Sequence, residues 1–175
     1  VFNSEATISD LVTELITHIS KDHPLEVVLV NDDSDDRSEN ECIGLFKRYP
    51  EIVKFYSLAK NVGEHNAIMA GLNKCSGDYA VLMSDDLQHS TTSMLELIKY
   101  GIKEKDNFDV VYTHYEEKKY GFFKKIGSKF NDMVANLLLK KFKFIYLSSY
   151  KFINRFLITE ITKNPSPFIY LDGVI

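Results

Sequence analysis

The stretch that most constrains this chain is Gly77 to His89, which reads G-D-Y-A-V-L-M-S-D-D-L-Q-H. Tyr79 to Met83 is an apolar run without polar alternation, the pattern of a strand buried on both faces. It gives way at once to Ser84, Asp85 and Asp86, followed by Leu87, Gln88 and His89. Two adjacent carboxylates at the mouth of a buried strand repel each other unless something positive sits beside them. Side chains alternate along extended chain, so Ser84, Asp86 and Gln88 are expected on one side and Asp85 on the other. An all-oxygen set of this kind suits a hard divalent cation, Mg²⁺ or Mn²⁺, held by one or two carboxylates with phosphate oxygens completing the shell. The same residues also read as a plain polar strand-to-helix turn, with Ser90 capping the next helix.

Around that strand the chain alternates helix and strand. Asn3 or Ser4 can cap a first helix whose apolar positions Ile8, Leu11, Val12, Leu15, Ile16 and Ile19 follow helical spacing, with Pro24 as its stop. Residues 26–30 read as a buried strand ending in the acidic run Asn31, Asp32, Asp33, Ser34, Asp35, Asp36. A helix opens at Ser38, a strand follows at 53–58, and the turn Asn61-Val62-Gly63 leads into a helix carrying His65, Ile68, Met69 and Leu72. Beyond the central strand come a helix near 93–104, a strand at 109–112, a long helix near 121–141, a strand at 144–149 and a final helix holding Phe152, Ile153, Phe156, Leu157 and Ile161. This alternation implies an α/β fold with a mostly parallel sheet flanked by helices. No repeat, low-complexity segment or linker interrupts it, so residues 1–175 read as a single domain.

Length allows one domain with a sizeable core, and a net charge of −4 is unremarkable. Cys42 and Cys75 fit no paired motif and are expected as reduced thiols of a cytoplasmic protein. No apolar run reaches about 18 residues, so nothing in the sequence reads as a membrane span, and no signal peptide is visible. Charge is unevenly spread, however. Lys118 to Lys143 carries +7, leaving −11 on the rest. Interleaved with Phe122, Phe123 and Phe130, this segment is expected to face an anionic membrane surface at the cytoplasmic side. The plain alternative is a solvated basic helix whose aromatics are core.

In parallel sheets, ligands bind beyond the carboxyl ends of the strands. Two strands here end in acid clusters, residues 31–36 and 84–86. Placed at one rim they make a strongly negative pocket, costly without a bound cation. A carboxylate can also accept a hydrogen bond from the ring N–H of a nucleobase. A metal-bridged nucleoside diphosphate would employ both clusters.

These residues resemble a known family. Val30-Asn31-Asp32-Asp33-Ser34-Asp35-Asp36 looks like the V-D-D-G-S-x-D segment of family 2 glycosyltransferases of GT-A fold. Asn61-Val62-Gly63, with His65 and Ala67, resembles their R-N-x-G-x-x-x-A segment. Ser84 to His89 resembles the D-A-D-L-Q-H of the branch that loads sugars onto polyprenyl phosphates, which includes dolichyl-phosphate mannose synthase. Val1-Phe2-Asn3-Ser4-Glu5 looks like the end of P-V-Y-N-E-E. The resemblance implies an inverting, metal-dependent transfer from a UDP- or GDP-linked sugar to a polyprenyl phosphate or glycan acceptor. No nucleic-acid partner is expected. It divides the domain into a nucleotide-sugar half, about 1–107, and an acceptor half, about 108–175.

Carried over residue by residue, Asp32 matches the Asp that reads the nucleobase. Asp86 matches the metal-binding Asp of D-x-D, and Gln88 the ligand beside it. Phe2 and Glu5 match residues near base and ribose, and Asn61 and Asp85 also fall in donor-binding motifs. Lys151 and Arg155 match the F-R-x-x-x-R segment near the acceptor. Asp36 and Ser38 also read simply as helix caps, and His65 as support for a phosphate loop. Departures stand beside the matches. Ser84 replaces the first Asp of D-x-D, and Thr113-His114-Tyr115 replaces a G-S-R, leaving Lys118 or Lys119 to substitute for its Arg. Ser149 stands where several relatives carry an Asp before the F-R segment, which favours a lipid phosphate that needs orientation more than a base. The chain opens inside the first motif, so the resemblance places the family's first strand before Val1 and membrane helices beyond Ile175. Two other readings stay open: a non-catalytic nucleotide-sugar-binding relative, and a phospho-receiver-like domain.

Overall fold

The computed structural model describes residues 1–86, 91–113, 150–163 and 171. Its elements are α1 (Ile8–Ile19), β1 (Val27–Asn31), α2 (Ser38–Arg48), β2 (Val53–Ser57), α3 (Glu64–Leu72), β3 (Tyr79–Leu82), α4 (Thr91–Lys103), β4 (Val110–Tyr112), β5 (Lys151–Asn154) and α5 (Arg155–Thr162). The expected helix at 121–141 and strand at 144–149 lie outside the described residues.

The strands form two sheets. β1 and β2 pair in parallel, Val27 opposite Val53 through Asn31 opposite Ser57. The second sheet has the order β3-β5-β4, with β5 antiparallel to both neighbours, so β3 and β4 share one direction. The mostly parallel expectation therefore holds for β1 with β2 and for β3 with β4, and β5 is the exception. Val1 continues the first sheet by one parallel bridge. Its nitrogen donates to the Val30 carbonyl at 2.8 Å, and its own carbonyl accepts from Asp32 N–H at 2.9 Å.

Helices cover both faces. The α1 stripe Ile8, Leu11, Val12, Leu15 and Ile19 is buried, as its spacing predicts. It roofs both sheets. Ile8 and Val12 pack with Val27, Leu29, Cys42, Leu45 and Val53, while Leu11, Leu15 and Ile19 pack with Met94, Leu97, Tyr150 and Phe152. Burying each such side chain is worth about 1.5–3 kcal/mol relative to exposure, so α1 is a principal tie between the sheets. On the other face, Met69 and Leu72 of α3 meet Ile153, Ile158, Ile161 and Leu171. Gly71 of α3 lies against β1, where a Cβ would make an ordinary contact with Val30 Cγ2 at 3.4 Å.

Several sequence expectations change: α1 begins at Ile8 after Thr7 and not at Asn3 or Ser4, and β3 is half-buried and not buried on both faces. α1 ends at Ile19, before Pro24 is reached. Phe152 and Ile153 belong to a strand, not to the final helix, because Tyr150 and Phe152 face one core cluster and Ile153 the opposite one. A short apolar run reads equally as strand or buried helix, and here the alternation of faces decides.

Candidate functional site

The loops leaving β1, β2 and β3 are linked: residues 1–5 tie the β1 exit to Asp85, and Asp32 ties the β1 exit to the turn after β2. Asn3 N–H donates to Ser34 Oγ at 3.1 Å, and Asn3 Oδ1 accepts from Asp35 N–H at 3.0 Å. Ser4 N–H donates to the buried Ser38 Oγ at 2.7 Å, and Glu5 N–H to Asp36 Oδ2 at 3.0 Å. Asn31, itself buried, accepts from both Ser34 N–H and Ser34 Oγ through Oδ1. Asn3 and Asp33 hold positive φ of 52° and 57°, a conformation that Asn and Asp tolerate better than other non-glycine residues. From β3, Asp85 Oδ2 accepts from Ser4 Oγ at 2.6 Å and lies 3.9 Å from the Val1 nitrogen. The exits of β1 and β3 therefore meet through Ser4.

The segments that meet there carry Glu5, Asp32, Asp33, Asp35, Asp36, Asp85 and Asp86. Asp32, Asp36 and Asp85 accept from backbone N–H groups and a hydroxyl. Arg37 supplies a cation, its N–H and Nε reaching Glu5 Oε2 at 2.9 and 3.2 Å. Those contacts hold the Glu5 carboxyl below the usual carboxylate range, the backbone N–H of Arg37 first among them. Burial would raise Asp36, but the Ser38 hydroxyl and N–H and the Glu5 N–H outweigh it and keep that group low as well. Asp36 Oδ1 accepts from Ser38 N–H at 2.9 Å, the helix-start role that its position also suggested.

The structure sorts the expected residues clearly. Asp86 is exposed at the mouth of β3, whereas Asp85 turns inward to Ser4. Phe2 is exposed at 47% and Asn61 is exposed in the turn before α3. Lys151 comes to the same rim, because antiparallel β5 sets it beside Leu82 and Tyr112, the last residues of β3 and β4. It is 2% exposed, with Nζ 5.0 Å from the Tyr112 ring centre. Gln88 and Lys118 lie outside the described residues, as do His89, His114 and the basic segment 118–143.

Two of the expected residues are engaged with backbone groups. Arg155 is not at this rim: its Nε donates to the Gly77 carbonyl at 2.9 Å, Nη2 reaches the same oxygen, and Nη2 lies 3.7 Å from Cys75 Sγ. Residues 151 and 155 are separated by a strand, whose rise of about 3.3 Å per residue carries Arg155 roughly 13 Å away. Asp32 is 3% exposed, and its carboxylate accepts from Val62 N–H at 2.8 Å and Gly63 N–H at 2.9 Å. The residue expected at the base thus also braces the turn before α3. Sequence reasoning missed Ser4 as the link between β1 and β3 exits; a small hydroxyl among acids was its only signal.

Among the described residues no three His, Cys, Asp or Glu side chains converge to hold a metal on their own. One exposed carboxylate, Asp86, close in sequence to the Ser84 hydroxyl, is a set that holds a hard cation jointly with ligand oxygens. Also among the described residues, no helix is long and apolar enough to cross a membrane.

The family model for glycosyl transferase family 2 matches residues 1–162. The chain belongs to glycosyl transferase family 2. This membership sets aside the phospho-receiver reading. Undecaprenyl-phosphate 4-deoxy-4-formamido-L-arabinose transferase of Serratia proteamaculans is 30% identical over 136 residues, 77% of this chain and 40% of that protein. The enzyme of the same name from Pseudomonas fluorescens is 30% identical over 152 residues, 86% of this chain and 42% of the relative. The family 2 chain thus spans about two fifths of these curated relatives. Its fold is GT-A. Glucosyl-3-phosphoglycerate synthase from Mycobacterium tuberculosis, solved with Mn²⁺, UDP-glucose and phosphoglyceric acid, superposes with TM-score 0.66 at 18% identity, over 92% of this chain and 56% of that one. The mannosyltransferase PcManGT from Pyrobaculum calidifontis, solved with GDP-mannose and Mn²⁺, gives 0.63 at 16% identity, over 91% and 44%.

Proposed function

We propose that this protein transfers a sugar from a nucleoside diphosphate sugar to an ionised lipid phosphate of the polyprenyl type, with inversion. The observation that carries this is the meeting of the β1 and β3 exits through residues 1–5, with Asp32 tying in the turn after β2, Asp86 exposed and Lys151 buried at the end of β3. Names of relatives supply the acceptor class, and the ligands of structurally similar enzymes supply the donor class.

In this reading an acceptor phosphate oxygen attacks the anomeric carbon. The bond from that carbon to the diphosphate oxygen breaks, and the electron pair leaves with the nucleoside diphosphate. An acceptor phosphate is ionised at neutral pH, so no general base has to remove a proton. Lys151 contributes positive charge where the donor and acceptor phosphates approach, and its burial makes that charge count for more than at the surface. Asp86, with Gln88 beside it in sequence, would hold Mg²⁺ or Mn²⁺. When bound, such an ion neutralises charge developing on the leaving diphosphate. Phe2 and Asn61, both exposed, and Glu5 would contribute to holding the donor. The basic segment 118–143 would set the site against an anionic membrane surface at the cytoplasmic face, where a lipid acceptor resides.

A non-catalytic, donor-binding role is the second reading, favoured by Ser84 where relatives of this branch carry Asp. One assay separates them. The protein is incubated with undecaprenyl phosphate vesicles, labelled UDP- and GDP-sugars, and Mn²⁺ or Mg²⁺. Label from at least one donor is expected in the organic phase. Donor binding without label in lipid or free sugar would establish the non-catalytic reading instead.

A further inference from the structure

We propose that Ser4 and Asp85 are a coupled pair of positioning residues. They exchange a Glu and an Ala of the family's motifs across one contact, and the bond between them holds the bend from which Asp86 reaches the donor. This rests on the donor-site reading above and assigns a role within it. Set against V-Y-N-E-E, the chain reads Val1-Phe2-Asn3-Ser4-Glu5, so Ser4 stands where the motif carries its first Glu. Set against D-A-D-L-Q-H, Asp85 stands where the motif carries Ala. The two departures lie 81 residues apart, yet Ser4 Oγ donates to Asp85 Oδ2 at 2.6 Å. Glu with Ala and Ser with Asp have the same number of side-chain heavy atoms and a single carboxylate. The exchange therefore conserves the volume and the charge of the pair, the kind of swap a packed contact tolerates best. What differs is the segment from which the carboxylate hangs. Here it hangs from the β3 exit.

Ser4 can fix that carboxylate because it is itself fixed. It is buried, and its N–H donates to Ser38 Oγ at 2.7 Å. Its carbonyl accepts from the N–H groups of Thr7 and Ile8, both at 3.1 Å, in the turn that opens α1. The hydroxyl has one proton and two acceptors in reach, Asp85 Oδ2 and the Phe2 carbonyl at 3.0 Å. The shorter contact goes to the charged acceptor, which makes the stronger bond. The chain bends at Asp85 and Asp86. Ser4 pins the inward side of that bend, and Asp86 on its other side is exposed.

The test compares the parent with Ser4→Glu, Asp85→Ala, Asp85→Asn and the double variant Ser4→Glu/Asp85→Ala, which rebuilds the motif's own pair. Calorimetry measures UDP and GDP binding with and without Mn²⁺, and urea unfolding measures stability. Ser4→Glu sets two carboxylates face to face, and Asp85→Ala deletes the pin. Each should weaken Mn²⁺-dependent binding about tenfold, the worth of one hydrogen bond to a charged group. The double variant should return to within about threefold of the parent, well above the product of the singles. Asp85→Asn keeps an oxygen for Ser4 Oγ and should bind at least about threefold tighter than Asp85→Ala. Losses that multiply in the double variant would overturn the exchange. An Asp85→Asn variant as weak as Asp85→Ala would make the charge act by itself, and overturns the positioning role. Singles with a lowered urea midpoint but parent-like Mn²⁺-dependent binding would leave only a structural tie, and overturn it too. If a single variant fails to fold, a folded double variant sustains the pair and an unfolded one overturns it. A parent that binds neither nucleotide overturns the donor-site reading. The urea midpoints then decide the exchange separately, and destabilisations that simply add would overturn it.

Discussion

The two ends of the sheets are both polar, yet they are built on opposite principles. At the end where β1 and β3 begin, charges meet opposite charges or polar caps. Glu26 accepts from Lys54 Nζ, from Ser76 N–H at 2.7 Å and from Ser76 Oγ at 3.0 Å. Arg155 grips the Gly77 carbonyl, and Asn154 joins Asp109 at 2.7 Å while capping α5 through Leu157 N–H at 2.9 Å. The shallow groove there, about 350 Å³, mixes Asp78 and Asp106 with Lys105 and Arg155. At the other end, acids are held by backbone N–H groups and hydroxyls, with Arg37 and the buried Lys151 as cations. Neutral donors fix a carboxylate in place without cancelling its charge. The difference teaches that the first end is a set of closed structural ties, whereas the second keeps a negative field that a bound cation would relieve.

Breaking this contrast should have graded effects. Asp86→Asn, at the open rim, should lower sugar transfer about 10²- to 10³-fold, the scale of losing one main electrostatic contact to a developing charge. Steady-state rates with saturating donor would show it, and a rate within threefold of the parent would contradict it. Lys151→Met keeps the apolar stem and removes the charge. It should cut kcat/KM about 10- to 100-fold, the worth of one or two hydrogen bonds to a charged group, without lowering Tm much.

Effects on stability alone should be smaller. Ser4→Ala unlinks Asp85 from residues 1–5 and should cost about 1–2 kcal/mol in urea unfolding. At the closed end, burial pushes the Glu26 carboxyl up, but Lys54 and the Ser76 N–H and hydroxyl more than offset it and leave it lowered. A lowered folded-state pKa gives stability that is present above the ordinary value of 4.5 and is lost as pH falls through the lowered value. Glu26→Gln should therefore lower stability near neutral pH by about 1 kcal/mol and flatten the acid limb of the urea midpoint. An acid limb identical to the parent's would remove Glu26 from the closed set.

Much of the frame was legible from residue pattern. The unbroken apolar run Tyr79 to Leu82 is β3, and the spacing of Ile8, Leu11, Val12, Leu15 and Ile19 sets the buried side of α1. The acid clusters at the β1 and β3 exits also pointed to one rim, because strand ends in such folds gather ligands. What stayed hidden depends on contacts distant in sequence. Lys151 and Arg155 look like neighbours one helical turn apart, but a four-residue strand sends them to opposite ends. Asp32 carries no mark in sequence of its partners 30 and 31 residues later. Ser4 reads as a helix cap, and only the fold brings it to Asp85, 81 residues on. Cys42 was expected as a reduced thiol; it is buried, and that burial pushes it up to about 12.

The most direct test of the contrast is calorimetric titration of UDP and GDP, with and without Mn²⁺, into the parent, Asp86→Asn and Arg155→Gln. The account predicts that at least one nucleotide binds the parent in a Mn²⁺-dependent manner. Asp86→Asn should lose that dependence, while Arg155→Gln, at the closed end, should keep the parent affinity within about twofold even if its Tm falls. Loss of Mn²⁺-dependent binding in Arg155→Gln with its retention in Asp86→Asn would contradict the account and move the site to the other end of the sheets.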